Sequence, residues 1–187
     1  MKKILSLLLA AMLPFSLCAA TAQAESATPL PCGAAWSMTL EQLQTLLGEE
    51  GQRDSWLEDD TETGSLRVEN PDLGVGDLTA TDVSFQVDRN NSAREPRLSI
   101  VTVTLPTGDN VIVSFKKALE AFTQLYGAPD SDPFDEIGVT SYMEYGSLDA
   151  SWTKEDVRIH LSMNRMYDES LMADYTSRKN YDPADLQ

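Results

Sequence analysis

The chain offers few side chains for chemistry, and its single histidine, His160, is the first to consider. Catalysis by a nucleophile needs a base within hydrogen-bond reach and a third group that orients the base. No serine, cysteine or carboxylate pattern around His160 supplies such a set. We therefore expect His160 to lie on the surface of a strand without a catalytic role, and we predict that the protein is not an enzyme.

Other sites for catalysis, metals and cofactors are equally weak. The 30 acidic residues leave a carboxylate-based hydrolase open as an alternative, because two converging carboxylates can suffice. His160, Met163 and Met166 could offer ligands for Cu(I), but in a strand His160 and Met163 point to opposite faces. The acidic turn 58–64 lacks the ligand spacing of a calcium loop. Glycine-rich phosphate loops and zinc-type clusters are missing from the sequence, so we predict no metal and no cofactor.

The first residues have the pattern of a secretory signal peptide. Two lysines precede an apolar run, 4–17, and Ala22-Gln23-Ala24 supplies the small residues that a signal peptidase requires. We predict cleavage after Ala24 and a periplasmic location, without a membrane span later in the chain. Lipidation through Cys18 is disfavoured, because Leu17 before it is not a small residue.

The mature chain is strongly acidic and retains one cysteine. The formal net charge is −16, and loss of the two signal-peptide lysines lowers it to −18. Such a charge argues against nucleic acid as a partner and favours a protein with a basic surface, although acidity also keeps exported proteins soluble. Cys32 is left either as a free thiol or as the site of a disulfide-linked dimer. Residues 25–36 read as a flexible lead-in and 181–187 as a frayed tail.

A short helix near the start of the mature chain has clear signals at both ends. Thr39 and Gln42 form a capping box, and Gly48 can end the helix. The same skeleton recurs 79 positions later, where Leu119, Phe122, Leu125, Tyr126 and Gly127 match Leu40, Leu43, Leu46, Leu47 and Gly48. Asp82-Val83-Ser84-Phe85 also resembles Asp149-Ala150-Ser151-Trp152. The match suggests an internal repeat.

Alternating apolar residues predict strands after each helix. The predicted strands include Thr79–Asp88, Arg97–Leu105, Thr140–Tyr145, Asp149–Thr153, Asp156–Met163 and Leu171–Ser177. A change of parity between Ile100 and Val101 indicates a bulge or burial on both faces. We therefore predict an α+β fold over residues 37–180. It would consist of two pseudo-repeats, about 37–106 and 107–180, each a helix followed by an antiparallel β-meander, sharing one core.

Aromatic residues are unevenly distributed. All six tyrosines follow residue 125, and Tyr and Trp are enriched at recognition surfaces, though they also fill cores and strands well. The predicted binding residues are Tyr142, Tyr145, Trp152, His160 and Tyr167. If the interaction hypothesis holds, Tyr142, Tyr145 and Tyr167 should share one exposed patch.

The first helix also carries a resemblance. Met38-Thr39-Leu40-Glu41-Gln42-Leu43, ending in Leu47-Gly48, resembles a helix shared by the small lipoprotein of the outer-membrane β-barrel assembly machine and by the β-lactamase inhibitor proteins. The resemblance implies binding of another protein through a sheet face or its loops. We therefore expect an exported, non-enzymatic protein-binding module of the inhibitor, immunity or envelope-assembly type. A small-ligand or metal-binding periplasmic protein is the alternative.

Overall fold

The fold is taken from a computed structural model that describes residues 28–53, 63–75, 78–89, 95–165 and 170–180, with 72–75 described for the backbone alone. The predicted signal peptide, Cys18, the acidic turn 58–62, Met166, Tyr167 and the tail 181–187 lie outside these ranges. From residue 28 onward the predicted lead-in lies against the core: Leu30, Pro31 and Ala34 are buried. Thr28 donates a hydrogen bond to Asp156, at 2.9 Å.

The protein has the predicted α+β fold, and its described residues contain three α-helices and antiparallel strands. The helices are α1 (Leu40–Leu47), α2 (Val111–Tyr126) and α3 (Glu136–Tyr145). The strands are β1 (Gln52–Arg53), β2 (Gly64–Glu69), β3 (Asp72–Val75), β4 (Leu78–Thr79), β5 (Asp82–Asp88), β6 (Arg97–Leu105), β7 (Ser147–Thr153), β8 (Val157–Asn164) and β9 (Ser170–Ser177). Seven strands form one sheet in the order β1-β2-β5-β6-β9-β8-β7, while β3 and β4 pair separately.

Helix α1 begins and ends where the sequence predicts. Thr39 Oγ1 accepts a hydrogen bond from the backbone amide of Gln42 at 3.3 Å, and the Thr39 amide donates to Gln42 Oε1 at 3.0 Å. These two bonds form the capping box, which satisfies two amides that a helix start leaves free. Leu40 and Leu43 are buried, and Gly48 ends the helix with φ 59°, a conformation that costs glycine little.

The predicted irregularity in β6 is a β-bulge. The register between β5 and β6 shifts at Gln86 and Val87, so that Leu98 and Val101 can both face the core although three positions separate them. Ser99 lies at the shift, and its hydroxyl donates to Asp88 Oδ2 at 2.6 Å. The bulge therefore accommodates the change of parity without exposing either apolar side chain.

The prediction of a strand over Thr140–Tyr145 was wrong, because these residues belong to α3. Its valine, threonine and tyrosines are typical of strands, but local capping favours the helix. Asp135 accepts a hydrogen bond from the Gly138 amide at 2.8 Å, and Gly146 ends the helix in the left-handed conformation. Gly138 also lets the chain approach itself closely, because a Cβ there would lie 2.1 Å from the Pro133 carbonyl oxygen.

Two further local predictions from the sequence were wrong. In the sequence, the apolar residues 111–113 indicate a continued strand and Ser114 is a good helix cap, so the second helix is predicted to start after Ser114; instead α2 begins at Val111. The Asn110 side chain accepts hydrogen bonds from the amides of Ile112 and Val113, so the helix is capped at Asn110, four residues before Ser114. The turn-forming residues of 70–77 predict a loop, yet the stretch contains β3.

The core between α2 and the sheet is aromatic. The Phe122 ring lies 5.7 Å from those of Tyr126 and Trp152 and 6.2 Å from that of Tyr175. The two tyrosine hydroxyls lie 3.3 Å apart and share a hydrogen bond. Burial raises the pKa of Tyr175 well above its ordinary value of 10.0, and the neighbouring Tyr126 raises it further.

We expect this tyrosine pair to make the fold sensitive to alkali. A tyrosine in the unfolded chain ionises near pH 10, whereas Tyr175 in the folded protein stays neutral to a higher pH. Above about pH 10 the unfolded state therefore loses protons first, and the free energy of unfolding falls as the pH rises. Urea unfolding at a series of pH values should show less alkaline loss for Tyr175→Phe than for the wild type. Tyr145→Phe, at a residue that is 63% exposed, should leave the wild-type pH profile unchanged.

The two halves of the chain contribute similar elements to the sheet. In order, α1, β2, β5 and β6 are followed by α2, α3, β7, β8 and β9, and β6 pairs with β9 in the middle. Equivalent helix positions have similar exposure: Leu43 and Phe122 are fully buried, whereas Leu46 and Leu125 are 44% and 47% exposed. The matched tetrapeptides, however, occupy β5, inside the sheet, and β7, at its edge. A duplication of one motif therefore stays a prediction.

Candidate recognition surface

One face of the seven-stranded sheet is covered by helices and the other is not. Alternation along each strand directs apolar side chains to the covered face, where α1 contacts β2, α2 contacts β8 and β9, and α3 contacts β7. None of the described helices lies over the opposite face, which we call the open face. It consists of the outward side chains of β2, β5, β6, β9, β8 and β7, which are half-buried or exposed apart from Asp82.

The strand register aligns polar residues across the open face. One row runs through direct cross-strand neighbours in the order Arg67, Ser84, Thr102, Asp174, His160 and Ser151. The next row contains Gln86, Ile100, Thr176, Arg158 and Thr153. Since hydrogen-bonded strands hold these residues, the side chains start from fixed backbone positions. The open face is therefore a polar platform rich in hydroxyl groups.

A depression of about 480 Å³ lies at the centre of the open face. Its lining comes from four adjacent strands and consists of Gln86, Ile100, Thr102, Arg158, His160, Asp174 and Thr176. The volume is within the range of ligand pockets, but the depression is open to solvent along the sheet. Such a shape buries a small molecule poorly and suits a protruding part of a larger partner.

A second depression, of about 280 Å³, lies between the N-terminal half of α2 and the ends of β4 and β6. Leu78, Leu105 and Leu171 make much of its wall apolar. This volume is just below the range of about 300–1,000 Å³ that small-molecule pockets usually have. The open face is therefore the stronger candidate site.

Most carboxylates on the open face already have partners. Asp174 Oδ1 accepts a hydrogen bond from Thr102 Oγ1 at 2.7 Å, and Asp82 pairs with Arg67 at 3.1 Å. Asp149 lies 3.7 Å from His160 Nε2, but both side chains are well exposed, at 66% and 42%. A solvent-exposed pair of this kind adds little stability, so His160 stays available to another molecule.

The predicted binding residues are not brought together. His160 lies on the strand surface, as expected, at the centre of the open face. Trp152 is fully buried and its Nε1 donates to the Gly127 carbonyl at 2.8 Å, so a direct role in binding was the wrong prediction for it. Its aromatic ring completes the core under α2.

Tyr142 and Tyr145 lie on α3, apart from the open-face depression. Tyr142 is half-buried and its hydroxyl accepts a hydrogen bond from Arg165 at 3.2 Å, while Tyr145 is 63% exposed. Tyr167 lies outside the described residues, so the predicted patch of three tyrosines stays a prediction.

Two of the three residues considered as copper ligands, His160 and Met163, lie on opposite faces of the sheet. His160 faces solvent on the open side, whereas Met163 is 1% exposed in the core. In the described part of the chain, no group of three or more His, Cys, Asp and Glu side chains is placed to hold a metal ion.

Cys32 is a half-buried free thiol. Burial raises the pKa of the thiol, and the nearby Glu50 carboxylate raises it further. A raised pKa lowers the fraction of reactive thiolate, which disfavours the disulfide-linked dimer that the sequence left open as the alternative to a free thiol.

Sequence reasoning missed Arg158, Asp174 and Thr102 as members of one site. The alternation in β8 already placed Arg158 and His160 on one face. The order of strands in the sheet, however, decides that Asp174 of β9 lies opposite His160 and that Thr102 of β6 lies beyond it. No local pattern in the sequence states that order.

Fold and site together define the class: an α+β protein with a seven-stranded antiparallel sheet, helices on one face and an uncovered polar platform on the other. Among the described helices, none combines the length and hydropathy that a membrane crossing requires. Comparisons with protein-family models, with curated proteins and with solved structures found no match.

Proposed function

We propose that the chain is an exported, non-enzymatic protein-binding module that recognises its partner through the open face of the sheet. The observation that carries the proposal is the uncovered polar platform, built on the rigid strands of the sheet. The pattern of a signal peptide at the start of the chain supports a periplasmic site of action. Inhibition, immunity and assistance in envelope assembly are the kinds of role that such a module performs.

The chemistry of the open face is that of a recognition surface. Hydroxyl and amide side chains can donate and accept hydrogen bonds with little conformational cost, and His160 and Arg158 add charged or chargeable groups. The depression of about 480 Å³ is wide enough to admit side chains from a convex partner. Ser151 is the cross-strand neighbour of His160, but in the described part of the chain the two side chains share no hydrogen bond, and His160 Nε2 instead lies 3.7 Å from Asp149. We therefore assign His160 and Asp149 to recognition of a partner rather than to catalysis.

Electrostatics favours a partner with a largely basic surface. The mature charge of −18 predicted from the sequence would attract such a protein over several ångströms and accelerate encounter, most strongly at low salt. Among the described residues, two carboxylates that are not engaged with an arginine lie on the open face outside the depression: Asp88 at the end of β5 and Asp149 on β7, whose side chain is 66% exposed. Basic side chains at the rim of the partner would meet these groups.

The test is affinity capture from an extract of periplasmic proteins with the immobilised mature chain. Thr176→Tyr places a ring at the centre of the open face on β9, where it fills the depression without changing the net charge. We expect this variant to retain at least about tenfold less of a protein that the wild type captures, since complementarity at the centre of an interface is lost.

The matched control is Thr123→Tyr, the same substitution on α2 at the covered side of the sheet. Capture by this variant should equal that by the wild type. A captured protein that both variants retain equally would exclude the open face as its binding site, and failure of the wild type to capture any protein specifically would contradict the proposed function.

A further inference from the structure

Arg158 differs from the other arginines of the described chain. Arg67 pairs with Asp82, Arg97 with Glu95, and Arg165 binds and stacks on Tyr142. Arg178 donates to the carbonyl oxygens of Lys154 and Glu155, and Arg53 and Arg89 are also engaged. The backbone of Arg158 is paired in the sheet, but none of the described residues forms a hydrogen bond or an ion pair with its side chain, although the protein is strongly acidic.

The carboxylate best placed to neutralise Arg158 is held elsewhere. Arg158 lies directly opposite Thr176 on β9, and Asp174 is the diagonal neighbour on the same face, within reach of a long side chain. Asp174 instead accepts the hydrogen bond from Thr102 of β6, at 2.7 Å. The guanidinium group therefore stays exposed beside the depression, with His160 two positions along the same strand.

We propose that Arg158 is the anchor of the open face and that the protein partner places a side-chain carboxylate, from Asp or Glu, in the depression against its guanidinium group. This inference rests on the proposed function. A guanidinium group presents a planar fork of donors that matches the two oxygens of a carboxylate. The hydroxyl of Thr176 and the imidazole of His160, which line the same depression, can donate further hydrogen bonds.

Charge distribution selects a single carboxylate on a protein over a polyanion. The surface of a nucleic acid or an anionic bilayer would bring many negative charges against a chain of net charge −16, with repulsion outweighing one arginine. The partner that fits this charge distribution has a basic surface with one acidic side chain at its centre. The net negative charge of the chain attracts the basic surface, and Arg158 fixes the position of the acidic side chain.

Binding of the captured protein to purified variants gives the first measurement. Arg158→Met should raise the Kd on the order of 30-fold, as expected for truncation of one partner of an interfacial charge pair. Arg158→Lys should weaken binding less, because it keeps the charge but loses the fork. Lys117→Met, which removes one positive charge from α2, should leave the Kd unchanged. Circular dichroism and the melting temperature confirm that each variant folds.

A zero-length cross-link gives the second measurement and identifies the carboxylate. In Arg158→Lys, a water-soluble carbodiimide can join the new amine to a contacting carboxylate as an amide, taking up the released water as a urea. Peptide mass spectrometry should find a link between position 158 and an Asp or Glu of the partner. The wild-type complex should lack this link, since arginine does not couple.

The outcomes separate this inference from the proposed function. If Thr176→Tyr abolishes capture but Arg158→Met binds as tightly as the wild type, the open face is the binding site and the Arg158 anchor is wrong. A missing cross-link at position 158 also overturns the anchor. If the wild type captures nothing that depends on the open face, the proposed function fails and the anchor fails with it.

Discussion

Replacing Trp152 with alanine is expected to lower the free energy of unfolding by about 3–5 kcal/mol. The side chain is fully buried, and its ring lies 5.7 Å from that of Phe122 across the interface between α2 and the sheet. Its Nε1 also donates to the Gly127 carbonyl at 2.8 Å, just beyond the end of α2. Truncation therefore removes apolar contact, opens a cavity and leaves a carbonyl without its donor.

Urea unfolding followed by circular dichroism measures this loss, with Trp152→Phe as the companion variant. Phenylalanine keeps most of the buried ring but cannot donate to Gly127, so we expect a loss of about 1–3 kcal/mol from the smaller ring and the lost hydrogen bond. Since small domains are stable by about 5–15 kcal/mol, the alanine variant should approach the limit of folding. A loss below about 1 kcal/mol for Trp152→Ala would contradict the placement of its ring in the core.

The strands were the part of the fold that the sequence predicted best. Strand β6 spans Arg97–Leu105 as predicted, and of the two explanations that the sequence left open for the parity change at Ile100 and Val101, the register shift confirms the bulge. Successive side chains of a strand point to opposite faces. A strand that is buried on one face therefore has an apolar residue at every second position, which the sequence shows directly. Capping residues at Thr39 and Gly48 were equally informative, because their hydrogen bonds are local.

Helix α3 shows where such local reasoning fails. The helix buries none of its residues fully, and Ile137 and Met143 are 79% and 76% exposed. Without a buried apolar face it has no periodic pattern to detect. Its β-branched and aromatic residues then favoured a strand, while Asp135 and Gly146 were overlooked as caps at its two ends.

The candidate site was only partly visible for a different reason. His160 and Arg158 share a strand, so their common face follows from alternation alone. Their proximity to Asp174 and Thr102 depends on β9 lying between β6 and β8. This order results from pairing between strands that are far apart in the sequence. Trp152 was predicted to bind a partner because Trp and Tyr are common both in cores and at interfaces. Its complete burial shows that it belongs to the core.

Phe122→Ala is the second substitution for which we expect a large effect, about 3–5 kcal/mol of unfolding free energy. Phe122 is fully buried in the middle of α2, and its ring contacts those of Tyr126, Trp152 and Tyr175. The substitution therefore removes the shared neighbour of the whole aromatic cluster. Leu125→Ala on the same helix, at a residue that is 47% exposed, should cost about 1 kcal/mol or less, measured by the same urea unfolding.

A double-mutant cycle between Phe122 and Trp152 tests whether the cluster acts as one unit. Because the two rings are in contact, the double alanine variant should lose less stability than the two single losses added together, with a difference of about 0.5–3 kcal/mol. If the double variant is too unstable to fold, Phe122→Leu and Trp152→Phe provide a milder cycle. Strict additivity in either cycle would mean that the two rings stabilise the fold independently, and it would contradict the contact between the Phe122 and Trp152 rings.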